Sequence, residues 1–183
     1  MKNYNLIVLL ASLLLNFNIY AQNNHILTGE VHFNKGIEYA ENDDYINAML
    51  EYSEAIEINP YNWRYYQYRG SLERKNKNFE SALKDINKAL ELKPKYENPN
   101  SLSTRGMIYD ETSEYSMAIE DWTYMINYFQ DEWIVKMGDA LLRRGKAYLY
   151  TNQKELACKD FHESLIGNFR LQDGKEFIKK YCD

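Results

Sequence analysis

Between residues 29 and 96 the small, apolar and polar positions repeat with a period of 34. Gly36, Tyr39, Ala48, Tyr52, Ala55 and Pro60 return, shifted by 34, as Gly70, Glu73, Ala82, Ile86, Ala89 and Pro94. Gly106 with Ala118 and Trp122, then Gly145 with Ala157 and Phe161, keep the 12-residue step from glycine to alanine. With glycine at the eighth position the units run 29–62, 63–96, 99–132 and 138–171. Large residues hold position four (His32, Tyr66, Leu102, Leu141) and position 24 (Tyr52, Ile86, Trp122, Phe161). This alternation of small and large predicts interdigitating layers.

Between and beyond the units the pattern predicts further elements. Asn98 before Pro99 reads as a polar cap with proline at the first helical position. Trp133, Ile134 and Met137 continue in spacing through Leu141, which lengthens the fourth unit's first helix towards its N-terminus. At the end, Phe177, Ile178, Tyr181 and Cys182 share one face of a helix that Asp173 can cap, giving a closing element over 172–183. At the start, Lys2, the apolar run Leu6 to Leu15 and the small residue Ala21 read as a cleaved signal peptide over 1–21, followed by a polar lead over 22–28. The run of about ten apolar residues is too short to span a membrane, which takes roughly 20.

A 34-residue unit with these small, aromatic and proline positions resembles the tetratricopeptide repeat. The resemblance covers 29–171 and implies an all-α fold, an α-solenoid of four helix-turn-helix repeats with a C-terminal capping helix. Glycine inside a helix costs about 0.5 to 1 kcal/mol relative to alanine, so four in one frame position need a packing reason. Close approach to alanine at position 20 of the second helix is the expected one. Pro60 and Pro94 should end second helices, whereas units three and four carry Gln130 and Phe169 there, with Gly167 as a possible stop for the last.

The resemblance implies a concave groove lined by the first helices at positions two, five, nine and twelve, taking an extended peptide or a partner's helix. In this chain those positions include Phe33 and Ile37, then Arg64, Gln67, Ser71 and Arg74, then Asn100, Ser103 and Met107, then Leu142, Lys146 and Leu149. One subgroup of the family clamps a partner's C-terminal carboxylate with Lys and Asn at positions five and nine of the first repeat. Phe33 and Ile37 stand there instead, which argues against that mode.

Position seven, usually leucine in the family, is Lys35, Arg69, Arg105 and Arg144, and sixteen residues later stand Glu51, Asp85, Asp121 and Asp160. Two readings are open, an anion-binding row or a ladder of ion pairs within the repeats. The matched acids favour the ladder, in which the bases are committed. Its net stabilisation is expected to be small because desolvation offsets the attraction.

Cys158 takes position 21 of the fourth unit, where the others have Met49, Leu83 and Ile119, and so faces the closing helix that carries Cys182. An exported chain holds such thiols oxidised. The ACKD and KYC segments resemble the ends of many exported bacterial repeat proteins, which implies a disulfide between Cys158 and Cys182. The other reading is a small buried residue at 158 and a thiol on a frayed end at 182.

Composition narrows the functional classes. The 183 residues are 45% hydrophobic and 27% charged with a net charge of −5, and no basic run appears that would neutralise phosphates, so nucleic acid is not an expected partner. Three scattered histidines and the absence of HExxH, CxxC or a phosphate loop predict no metal, no cofactor and no catalysis. His32 reads as a partly buried structural residue and His162 as solvent-facing. The seventeen tyrosines read mainly as half-buried packing. The expected function is a protein- or peptide-binding scaffold. Self-association and service as an accessory subunit of an envelope enzyme are the alternatives. The signal segment and the Asn, Lys, Ile and Tyr bias look like those of Bacteroidota-type bacteria, which implies an exported protein, periplasmic or secreted.

Overall fold

The structure is a computed structural model that describes residues 13, 27–128, 134–165 and 171–182. Apart from Leu13, the signal segment therefore lies outside the described residues, as do Gln130, Trp133, Gly167 and Phe169. Among the described residues nine α-helices pair as helix-turn-helix units in a tetratricopeptide-like solenoid. They are α1 (27–41), α2 (Tyr45–Ile58), α3 (Trp63–Lys75), α4 (Phe79–Leu92), α5 (Pro99–Glu111), α6 (Tyr115–Tyr128), α7 (Ile134–Tyr150), α8 (Lys154–Ser164) and α9 (Leu171–Tyr181). Helix α1 already includes residues 27 and 28 of the polar lead. Helix α7 has 17 residues against 13 in α3 and α5, the lengthening that the Ile134–Leu141 spacing predicts.

Helix starts follow from side-chain oxygens. Asp44 accepts from Asn47 N at 3.3 Å, Asn62 from Arg64 N at 3.1 Å, and Asn98 from Ser101 N at 3.3 Å with Pro99 beside it. Each satisfies an amide that has no partner within its own helix. Asp173 differs from expectation: it lies in the first turn of α9, where its charge still complements the helix dipole.

All four turns within the units share one geometry. Asp43, Lys77, Ser113 and Asn152, each at position 15, have φ between 59° and 65°. The next residue's N–H reaches back five residues to a helix carbonyl: Asp44 to Tyr39, Asn78 to Glu73, Glu114 to Tyr109 and Gln153 to Tyr148, at 2.8 to 2.9 Å. These are Schellman closures with a non-glycine residue in the left-handed position.

The frame glycines answer to a different neighbour than expected. A Cβ on Gly36 would lie 2.5 Å from the Tyr52 ring, on Gly106 2.8 Å from Trp122, and on Gly145 2.5 Å from Phe161. On Gly70 it would meet Ile86 at 2.9 Å, with the Ala82 carbonyl next at 3.1 Å. The residue at position 24 therefore lies across the glycine, and the alanine at position 20 is secondary.

At the C-terminus, Cys158 and Cys182 form a disulfide with their Cα atoms 5.7 Å apart. Phe177, Ile178 and Cys182 pack on the cluster of Leu142, Ala157 and Phe161, so α9 covers the last unit.

Candidate functional site: the groove along the first helices

Three adjoining cavities run along the first helices. One of about 580 Å³ includes Ile37, Gln67, Tyr68, Ser71 and Leu72 in its lining. A second, of about 340 Å³, shares Gln67 and Ser71 and adds Asn100, Ser103, Thr104, Met107, Trp122, Met125 and Asp139. The third, of about 200 Å³, shares Asp139 and adds Asp110, Leu142, Arg143, Lys146 and Asp173, among others. Shared lining residues place the three side by side as a groove along the first helices.

The structure brings Ile37, Gln67, Ser71, Asn100, Ser103, Met107, Leu142 and Lys146 to this groove. Phe33 is not in it. Its ring is 0% exposed, 4.9 Å from the rings of Tyr65 and Tyr68 and 5.9 Å from Tyr52, so position five of the first unit is core. Arg64 covers that cluster, its guanidinium 4.6 Å from the Phe33 ring centre, and pairs with Glu30 at 3.5 Å. Arg74 donates to Glu111 at 2.6 Å and lines a separate depression beside the α3–α4 turn. Leu149 packs on the cluster under α9.

Two groove residues absent from the sequence-based set are Asp110 and Asp139, although they hold frame positions twelve and two. Arg143 Nε donates to Asp139 at 2.8 Å and its Nη1 reaches Asp110 at 3.5 Å, while Trp122 Nε1 donates to Asp110 at 3.2 Å. Because the guanidinium is aimed mainly at Asp139, burial dominates at Asp110 and pushes its carboxyl up to about 6. The signal for both residues was the frame itself.

The basic row is occupied in units two to four. Arg69 grips Asp85 through Nε and Nη2 at 2.7 and 2.9 Å, and its Nη1 donates to Ser53 of the preceding unit at 3.0 Å. Arg105 holds Asp121 at 2.8 and 2.7 Å and reaches Asn87 at 3.0 Å. Arg144 holds Asp160 at 2.8 and 2.7 Å and reaches Thr123 at 3.1 Å. Burial pushes the Asp121 and Asp160 carboxyls up against the pull of these hydrogen bonds, whereas the bonds to Asp85 and Asp121 hold Arg69 and Arg105 above the ordinary guanidinium value. The two-pronged geometry suits a pair in which both partners are charged, and the desolvation of the buried carboxylates offsets part of the attraction. The first unit differs from the expected ladder. Glu51 takes His32 Nδ1 at 2.7 Å, and Lys35 is exposed.

The sequence profile of the tetratricopeptide repeat family matches residues 29–62 and 64–96. Within residues 29–96 the chain thus carries two units that match this family, and the described helices that follow continue the same helix-turn-helix stacking. The fold is similar to the crystal structure of MamA, with a TM-score of 0.70 at 19% identity over 77% of this chain and 78% of that one. It is also similar to pilF of Pseudomonas aeruginosa, with a TM-score of 0.70 at 18% identity over 86% of this chain and 70% of that one. A third similar structure is the first repeat domain of Spaghetti (RPAP3) bound to the HSP90 peptide SRMEEVD, with a TM-score of 0.62 at 21% identity over 69% of this chain and 94% of that one.

Proposed function

We propose that this protein is a non-enzymatic scaffold of the cell envelope that holds a protein or peptide partner in the groove along its first helices. The observation that carries this reading is the row of three adjoining cavities, which share Gln67, Ser71 and Asp139 in their linings. Hydrogen-bonding groups such as Gln67, Ser71 and Ser103 beside apolar Ile37, Met107 and Leu142 suit an extended peptide. The peptide in the Spaghetti structure is a parallel for a groove of this fold. Export is supported by the Lys2, Leu6–Leu15 and Ala21 pattern and by the disulfide, which persists in oxidising compartments.

A photoreactive side chain placed at Ser103 in the groove, beside a control at exposed Glu80 on α4, tests the site in living cells. The expected result is a defined adduct from Ser103 and none of that mass from Glu80. Equal adducts from both positions would sink the groove reading. A mature chain beginning at Gln22, read by intact mass, is the matching expectation for export. Substituting Phe33 would instead probe folding, because that ring is in the core.

A further inference from the structure

Within that groove reading, the side chains favour one kind of occupant. Gln67 is 8% exposed and lies where the first two cavities meet, yet its Oε1 has no hydrogen-bond partner among the described residues. A buried amide oxygen without a partner carries a desolvation penalty that a ligand donor would remove. The amide's last torsion is soft, so the group can present both a donor and an acceptor to a peptide unit.

The charges beside it have a consistent sign. Of the groove's ionisable side chains five are carboxylates and three are cations. Glu41 and Asp43 lie at one end, Asp110 and Asp173 at the other, and Asp139 between. The cations do not balance them. Arg143 is shared between Asp139 and Asp110, which leaves that trio with one negative charge in excess, and Lys146, its ammonium 4.8 Å from the centre of the Phe177 ring, offsets Asp173 in the count. At the other end Lys75 stands against Glu41 and Asp43, so among the described residues the lining has one negative charge in excess at each end.

We propose that the groove accepts an extended peptide whose backbone hydrogen-bonds to the Gln67 side chain and whose flanking side chains are basic. An acidic tail would meet like charge at both ends, and opposite charge also speeds encounter.

The test uses the purified chain and two short labelled peptides with the same neutral centre, one flanked by lysines and the other by glutamates, titrated by fluorescence anisotropy. The lysine-flanked peptide should bind at least about tenfold more tightly, with the preference shrinking as salt is added. Gln67→Met, close in size, should weaken its binding by about tenfold. Asp173→Lys, on a half-exposed side chain that leaves packing intact, should lower the preference several-fold. Thermal melts of both variants establish that they fold. Equal or tighter binding of the glutamate peptide, or a folded Gln67→Met with unchanged affinity, would overturn this inference and leave the groove reading standing. Failure of both peptides to bind, with no adduct from Ser103 in cells, would remove both.

Discussion

The first unit and the three that follow share a frame but not an environment. Position three is Val31, 48% exposed, in the first unit, and Tyr65, Ser101 and Ala140 in the others, all at 2% or less. Position seven is an exposed lysine in the first and an arginine bound on both sides in the rest. A frame position is therefore fixed by two neighbours, its own second helix and the preceding unit. In the first unit the same slot is a surface residue, and His32 satisfies Glu51 instead. The opposite end of the solenoid is treated differently, with α9 covering the last unit and a disulfide fixing it there.

The largest expected effect tests that asymmetry of ends. Replacing Cys158 and Cys182 by serine should cost about 3 to 4 kcal/mol in chemical denaturation, the chain-entropy value for a loop of this length. Limited proteolysis of the variant should cut first in 154–182, and first cuts near α1 would show that the α1 end is the weaker one.

Next comes the ladder. Arg105→Met leaves Asp121, 5% exposed, without its partner and should cost about 3 kcal/mol, with the further change Asp121→Leu recovering most of it. Lys35→Met in the first unit should stay within about 0.5 kcal/mol. If the two single variants lose equally, the contrast between the first unit and the rest is wrong.

Asp110 gives a smaller effect that depends on pH. Its folded value of about 6 lies above its unfolded one, so between roughly pH 4 and 6 the folded chain binds a proton that the unfolded chain has released. Stability should then be greater at pH 4 and fall by roughly 2 kcal/mol as pH rises through 6. Asp110→Asn should flatten that step in denaturation curves and be the more stable chain at pH 7. Position twelve of the first unit is Ala40, which offers no such step.

The smallest effect concerns a feature all units share. Lys77 has φ of 64°, so Lys77→Gly should relieve the left-handed conformation and raise stability by roughly 0.5 to 1 kcal/mol, as seen by thermal melting. Asn152→Gly should gain less, because asparagine already tolerates that region.

Much of the fold was legible because small residues can recur in one frame only if packing demands it, as Gly36, Gly70, Gly106 and Gly145 show. The arginine–aspartate pairs were legible from their sixteen-residue offset, and the cysteines from position 21 and the helix that follows. Other features were not. Frame position gives the direction of a side chain but not its neighbours, so Phe33 reads as groove until Tyr52, Tyr65 and Tyr68 are seen around it. The third contact of each arginine crosses between units and has no signature within one repeat. Nor does a lysine or serine announce a left-handed turn, as Lys77 and Ser113 show.

The arm that each arginine extends to Ser53, Asn87 or Thr123 has a consequence for how such a chain can grow. Every inner unit carries a plug on its leading face and an acceptor on its trailing one. Duplicating residues 63–96 in tandem would set a copied Arg69 against Asn87, a junction like the existing contact of Arg105 with that residue. The solenoid could thus lengthen from within by whole units. Residues 29–62 could not be inserted the same way, because Lys35 has no planar fork to divide between two neighbours.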